Sequence, residues 1–367
     1  MTAVRPGSSN PESEGVPCLW MRGGTSKGGY FLAADLPADP TARDDLLLRI
    51  MGSPDPRQID GLGAATSLTS KVAVVSPSRR PGVDVDYLFL QLGVDQPTVS
   101  DRQNCGNILA GVGPFAVETG LVTAGGDSAT VRIHQINSGS IASATFPVRD
   151  GLPVYSGDTR IDGVPGTAAP VVLSFEDTAG SATAGLFPTG RLRDHIDGID
   201  VTCVDNGMPV VVATAASFGL TGYEPVADLA TDAALLGRVD NLRRKAAQLM
   251  GLGDVAETSV PKTVLLTPAC DGGTVCTRSF IPVQPHTSIG VFAAISAATA
   301  MMTPGAVGHE LAAGLPPGPR RVDMEHPSGH LLIDIDMDTT VTPPRARSAG
   351  VVRTARKLFA GRAFPRA

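Results

Sequence analysis

The 367 residues carry 30 Lys and Arg against 36 Asp and Glu, a formal net charge of −6, and show no basic stripe for a phosphate backbone, which argues against nucleic acid as a partner. The longest apolar run, Ile289 to Met302, is shorter than the roughly 20 residues needed to cross a bilayer and contains Ser296 and Thr299, so no membrane segment is expected. With 42 Gly, 30 Pro and 4% aromatic residues, and length enough for about two domains, the chain reads as β-rich, with many short strands and tight turns.

Up to Pro17 the chain is polar and lacks the apolar core and cleavage site of a signal peptide, so it reads as a frayed tail. Cysteines 18, 105, 203, 270 and 276 form an odd set without paired spacing, which fits reduced thiols in a cytoplasm rather than a disulfide framework. Cys270 and Cys276 lack the second pair that a zinc site would need. In Arg22-Gly23-Gly24-Thr25-Ser26-Lys27-Gly28 the order of Gly, Lys and hydroxyl residue is wrong for a nucleotide phosphate loop. The segment is either an ordinary glycine turn between strands or a place where backbone N–H groups approach a ligand and Arg22, Thr25 and Ser26 donate to a carboxylate.

A run of small and hydroxyl residues from Gly61, including Ser67, Thr69 and Ser70, ends at Lys71, on the edge of the strand Val72–Val75. Nothing nearby in sequence neutralises this lysine. It is either an exposed strand end or, in an enclosed pocket, a base or a cation for a substrate carboxylate. The alternating runs Val83–Leu90 and Ala129–Ile133 read, with Val72–Val75, as antiparallel strands. Between them Asp101-Arg102-Gln103-Asn104-Cys105-Gly106-Asn107 opens Ile108–Val117, apolar on every side and therefore a helix enclosed by protein. Cys105 thus stands at a helix mouth, where amides and the helix dipole attract anions and lower a thiol pKa, suiting proton transfer or carboxylate binding. A buried structural cysteine is the other reading.

Further along, Asp205-Asn206-Gly207-Met208-Pro209 is an Asx-type turn ahead of the strand Val210–Ala213, with Asn206 either an amide donor to a ligand or part of a plain turn. An amphipathic helix is expected over Ala227–Met250, its Arg243-Arg244-Lys245 patch on a solvated face. The strand Thr263–Leu266 precedes His286-Thr287-Ser288-Ile289-Gly290, which opens a second apolar helix, Val291–Met302. The halves look like structural duplicates, each a strand-rich shell around one helix. Two helix mouths facing across an interdomain cleft would make a pocket for a dianion or trianion. His326 and His330 have no third metal ligand, and Pro327 and Gly329 forbid helical presentation of the pair, so no metal is expected. Neither a Ser-His-Asp order nor a GxSxG elbow supports covalent hydrolysis.

Taken together, Met21–Gly28, Thr69–Lys71, Asn104–Asn107 followed by Val112–Ala116, and Asp205–Pro209 resemble the 2-methylaconitate isomerase and 4-oxalomesaconate tautomerase family, over Pro17–Pro365. Gly219–Glu224, His286–Phe292 and Arg353–Phe359 are similar to the oxalomesaconate branch. The family resembles diaminopimelate epimerase in fold. The resemblance implies an α+β chain of two pseudo-symmetric domains, each a β-barrel-like sheet wrapped around a central buried helix. Residues 1–190 with 349–367 would form one and 191–348 the other, Val351–Pro365 returning to complete the first.

In the epimerase two cysteines face each other at the helix mouths. Cys105 matches the first, and Thr287-Ser288 stand where the second would be. The resemblance therefore implies Lys71 as the base, with Cys105 as a second acid/base or an anion-site residue. The expected substrate contacts are Arg22, Gly23, Gly24, Thr25, Ser26, Ser67, Thr69, Ser70, Asn104, Gly106, Asn107, Asn206, Met208, His286, Thr287, Ser288 and Ile289. The implied activity is a cofactor-independent 1,3-proton shift on an unsaturated tricarboxylate. The substrate would be 4-oxalomesaconate of gallate-type aromatic catabolism or 2-methylaconitate of propionate degradation. A non-catalytic polycarboxylate binder and an amino-acid epimerase are the rival readings, the missing second thiol counting against the latter. A homodimer is compatible with the sequence, which is silent on oligomeric state.

Overall fold

The computed structural model describes residues 14–102, 105–176, 178–312 and 320–367. The chain folds into two compact units, one of residues up to Leu173 together with Arg353–Ala367, the other of Ser174–Val352. The first division falls ahead of the expected boundary at 190 and 191 because Asp205 gathers the preceding segment to the second unit. Its carboxylate accepts from Ser181 Oγ at 2.7 Å, the Ala182 N–H at 2.9 Å and Thr183 Oγ1 at 3.0 Å.

Strands in the first half are β1 (Val16–Gly23), β2 (Ser26–Leu32), β3 (Lys71–Pro77), β4 (Val85–Leu92), β5 (Val99–Ser100), β6 (Ser128–Gln135), β7 (Ile141–Arg149), β8 (Leu152–Pro153) and β9 (Pro170–Phe175). Then follow β10 (Asp194–Ile196), β11 (Ile199–Asp205), β12 (Pro209–Thr214), β13 (Lys262–Pro268), β14 (Val275–Phe280), β15 (Arg320–His326), β16 (Gly329–Asp338) and β17 (Arg345–Ala363). The helices are α1 (Pro40–Met51), α2 (Gly106–Glu118), α3 (Val226–Thr231), α4 (Ala233–Leu249) and α5 (Val291–Met301).

In the first unit β1, β2, β3, β4, β6, β7, β9 and β17 pair in series, and β17 pairs with β1, closing a barrel. In the second unit the strands from β11 to β17 pair in series. From β1 to β7 and from β11 to β16 the pairings follow one order: antiparallel, parallel, antiparallel, parallel, antiparallel. The halves are duplicates, but the sheets are mixed rather than antiparallel throughout. Alternation reports a half-buried strand and not the direction of its neighbour. The connections that hold α1, α2, α3 with α4, and α5 are long enough to carry the chain back before the next strand begins, which makes that strand parallel.

Each unit closes around its apolar helix. In α2 every residue from Ile108 to Val117 is buried, against β1, β2, β3, β6 and β7; in α5 Ala293–Met301 are buried, against β11, β12, β13 and β16. Such helices need not be amphipathic, because sheet surrounds them. Outside the barrels, α1 covers Trp20, Phe31 and Val72 with Leu46, Leu47 and Ile50, and α4 covers Val201, Cys203 and Val211 with Val239 and Leu242.

The single helix expected over Ala227–Met250 is two. Asp232 interrupts it, since its carboxylate caps α4 by accepting from the Leu235 N–H at 2.9 Å. Arg243 is also not on the solvated face. It is 1% exposed and donates through Nη1 to the carbonyls of Val255, Thr258 and Val260, with Nη2 on Asp240 at 2.8 Å. Arg244 and Lys245 take the exposed side, paired with Asp240 and Asp197. Among the described residues no helix is long and apolar enough to cross a membrane.

Candidate active site

Lys71 is the first residue of β3 and only 8% exposed. Its Nζ donates to Gln91 Oε1 at 2.5 Å and stands 5.1 Å from the centroid of the Phe89 ring. Gln91 faces Lys71 directly in the β3–β4 register. Its amide group is fixed by donation to the carbonyls of Ser67 at 3.1 Å and Ser70 at 3.0 Å, which turns the side-chain oxygen toward the lysine. Lys71 has no ion-pair partner among the described residues; a neutral amide and an aromatic face are what it meets. An enclosed lysine without a carboxylate is available to a substrate carboxylate or to a proton.

The position of Lys71 depends on a glycine. Gly28 is its partner in the parallel β2–β3 pairing, and a Cβ at that position would lie 2.0 Å from the Lys71 carbonyl oxygen. Gly28→Ala must part the two strands. We expect it to lower turnover at least about tenfold and stability by about 1–3 kcal/mol, read from steady-state rates and urea unfolding; wild-type rates would show that the lysine tolerates the shift.

Cys105 caps α2 with extended backbone (φ −132°, ψ 99°), is half-buried, and makes no side-chain cap bond. Its carbonyl accepts the Leu109 N–H at 2.9 Å. Gly106 is exposed, and among the described residues a Cβ there would meet nothing within 4 Å, so the helix is open at its first residue. Unsatisfied amides and the helix dipole make that opening favourable for a carboxylate. Below it the buried Tyr30 hydroxyl donates to the Ile108 carbonyl at 2.6 Å. Burial, and then the nearby Cys105, push that hydroxyl well above the ordinary tyrosine range. Burial likewise pushes the Cys18 thiol up to about 12, and burial with Asp194 takes Cys203 to about 12. Those two are packing residues; Cys105 is at a surface.

The glycine pair of the first turn serves a close approach, but to protein rather than directly to a ligand. A Cβ on Gly23 would lie 2.3 Å from the Asn107 carbonyl oxygen, and one on Gly24, at φ +50°, would lie 2.2 Å from Asn107 Oδ1. Asn107 Nδ2 also donates to Thr25 Oγ1 at 3.0 Å. The β1–β2 turn is thereby clamped to the mouth of α2. Arg22, Thr25, Ser26 and Thr69 line a cavity of about 740 Å³ in the first unit that neither Lys71 nor Cys105 lines. Arg22 is half-buried, its Nη1 donating to Gly24 O at 2.8 Å, Thr354 O at 3.0 Å and Thr354 Oγ1 at 2.9 Å. Ser70 is fully buried and spends its hydroxyl on Gln58 Oε1 and the Thr66 carbonyl, so it shapes the loop before Lys71 instead of meeting a ligand. Asn104 lies outside the described residues.

In the second unit Asn206 is not a free amide donor. It is fully buried, with Nδ2 donating to Thr299 Oγ1 at 2.9 Å, Oδ1 accepting from Thr178 at 2.5 Å and its N–H donating to Ser296 Oγ at 3.0 Å. Ser296 Oγ in turn donates to the Met208 carbonyl at 2.7 Å, so the 205–209 turn is pinned to α5. The mouth of α5 is made by His286, Thr287, Ser288 and Ile289. Thr287 is exposed, Ile289 is buried, His286 Nδ1 accepts the Ser288 N–H at 3.0 Å, and Gly290 caps the helix without a side-chain bond. His330 stands between Asp323 at 3.0 Å and Asp271 at 3.3 Å, while His326 meets Ser288 at 3.3 Å, so the two histidines do not converge. Among the described residues Cys270, Cys276 and Glu325 bring one metal-ligating atom each within 4.8 Å of the others. The Glu325 carboxylate there accepts three backbone N–H groups, from Cys270, Asp271 and Gly273 at 2.7–2.8 Å, and so closes a turn.

The PrpF protein family matches residues 14–365, nearly the whole chain. The chain belongs to the PrpF family. It is 54% identical over 352 residues to the (4E)-oxalomesaconate Delta-isomerase of Novosphingobium sp. (strain KA1), covering 96% of this chain and 98% of that one. It is 54% identical over 346 residues to the 4-oxalomesaconate tautomerase of Pseudomonas putida, covering 94% and 95%. The crystal structure of a methylitaconate-delta-isomerase superposes with a TM-score of 0.82 at 34% identity, over 94% of each chain. In this PrpF-family chain, sequence reading missed Gln91, and named Thr354 and Arg356 only within the segment Arg353–Phe359, with no place beside Arg22. Gln91 carries no motif, and only the strand register places it opposite Lys71; the two others come from β17, more than three hundred residues after β1.

Proposed function

We propose that this chain is an isomerase that moves a proton across the allylic system of an unsaturated tricarboxylate, with 4-oxalomesaconate as substrate. The observation that carries the reading is Lys71, enclosed at a strand start with a neutral amide as its hydrogen-bond partner, in a family whose half-identical relatives are named for oxalomesaconate. Lys71 Nζ takes the proton from the carbon next to the activating carbonyl, and the electron pair spreads over the conjugated system as a dienolate. The open amides at Gly106 and Asn107 hold that developing charge, as oxyanion donors do. A proton returned at the far end of the allylic system, by Lys71 or by Cys105, completes the shift without net oxidation or reduction.

The test is an ultraviolet assay of purified protein on 4-oxalomesaconate and, in parallel, on cis-2-methylaconitate, with Lys71→Ala as control. Lysine-dependent conversion of the first substrate alone is the expected result. Conversion of the second alone would reassign the substrate, and conversion of neither would favour a different substrate or a non-catalytic binder.

A further inference from the structure

The cavity beside the β1–β2 turn has a feature that the proton shift does not use. Arg22 on β1 is directly opposite Lys27 on β2 and directly opposite Arg356 on β17. Three cations therefore stand in one cross-strand row, and all three line the cavity of about 740 Å³. Like charges directly opposite one another destabilise a sheet. No carboxylate is among the lining residues. The neighbouring acid, Glu118, is taken by Tyr155 Oη at 3.0 Å and by Lys357 Nζ at 2.7 Å. Among the described residues Lys27 and Arg356 form no ion pair, and Arg22 engages only Nη1, on neutral oxygens, leaving Nε and Nη2 without an acceptor. Burial first, and then the charge of Arg356, make protonated Arg22 harder to hold than in water. A second observation is independent of charge: Ser26, which also lines the cavity, is 2% exposed and its hydroxyl has no hydrogen-bond partner.

We propose that this cavity is a polyanion-binding site separate from Lys71 and Cys105, and that it takes a small organic di- or tricarboxylate. Adjacent strands place opposed residues about 5 Å apart, so the row extends about 10 Å. A single compact anion reaches two of the three cations, whereas a short chain bearing several carboxylates reaches all of them. Ser26, whose hydroxyl has no partner, and Thr25, whose hydroxyl accepts from Asn107 and keeps its own proton, offer the remaining hydrogen bonds. Inorganic phosphate shares the charge but not the reach.

Calorimetric titration of the full chain with citrate, and separately with inorganic phosphate, tests this in wild type, Lys71→Gln and the double variant Lys27→Gln/Arg356→Gln. Citrate should bind wild type and Lys71→Gln alike, phosphate should bind at least tenfold more weakly, and the double variant should lose at least tenfold in citrate affinity. In anion-free buffer the double variant should melt no lower than wild type, since repulsion has been removed. Citrate affinity that survives the double variant, or that is lost in Lys71→Gln, would overturn the separate site. Phosphate binding as tight as citrate would overturn the polycarboxylate class, and a lowered melting temperature would assign the three cations a structural role instead.

Discussion

Lys71→Ala is expected to lower kcat on 4-oxalomesaconate by about 10²–10⁴-fold, the range that a positioned general base contributes. The lysine is enclosed and its acceptor, Gln91 Oε1, is oriented by the Nε2 amide that donates to the Ser67 and Ser70 carbonyls, so truncation leaves a rigid pocket with its proton carrier missing. The loss should appear in kcat with KM changed little, because the open mouth of α2 still receives a carboxylate. Lys71→Arg makes the same distinction from the other side. It keeps the cation, but a guanidinium is not deprotonated in a protein and cannot serve as the base, so it should be nearly as slow as alanine. Progress curves in deuterium oxide add an independent readout, since wild type should incorporate solvent deuterium and Lys71→Ala should not. A kcat within about threefold of wild type in either variant would remove lysine as the base, while a raised KM at unchanged kcat would make it a binding cation only.

Arg243→Met is expected to cost about 3–5 kcal/mol of stability, the range found when one partner of a buried charge network is removed. Three carbonyls, those of Val255, Thr258 and Val260, converge on one guanidinium nitrogen and would lose it, while Val255 and Val260 keep the bonds they accept from Thr258. Methionine fills much of the volume, so the cost reports unsatisfied polar groups rather than a void. Arg244→Met, on the exposed side of the same helix, should change stability by less than about 1 kcal/mol. Urea unfolding of both variants checks the contrast, and equal midpoints would mean that the segment following α4 re-forms its hydrogen bonds with water at no cost.

What the sequence revealed, and what it did not, follows from the range over which each signal acts. The two apolar helices were legible because they are apolar on every side, and that alone requires enclosure. The positions of Lys71 and Cys105, at a strand start and a helix cap, were legible because the elements they open are recognisable. Arg243 was misread because a run of three cations looks alike whether or not one of them turns inward, and the carbonyls that receive it come 12 to 17 residues later. Asn206 was misread for a related reason. Its partners Thr178 and Thr299 are distant in sequence, so a buried bracket and an exposed donor present the same turn motif. The placement of Gln91 beside Lys71 and of Arg356 beside Arg22 was not legible because strand register, not local composition, sets those neighbours.

The path of β17 also fixes an order of events during synthesis. The first barrel opens with β1 but closes only through residues after Arg353, which the ribosome makes after the whole of the second unit. The usual N-terminal-first sequence of cotranslational folding is thereby inverted for this chain. Ser174–Val352 is contiguous and can gather as it emerges, whereas the unit holding Lys71 and Cys105 must wait for the strand that joins β9 to β1. A nascent chain stalled before Arg353 would leave the edges of β1 and β9 that face β17 unpaired, open to pairing with another chain.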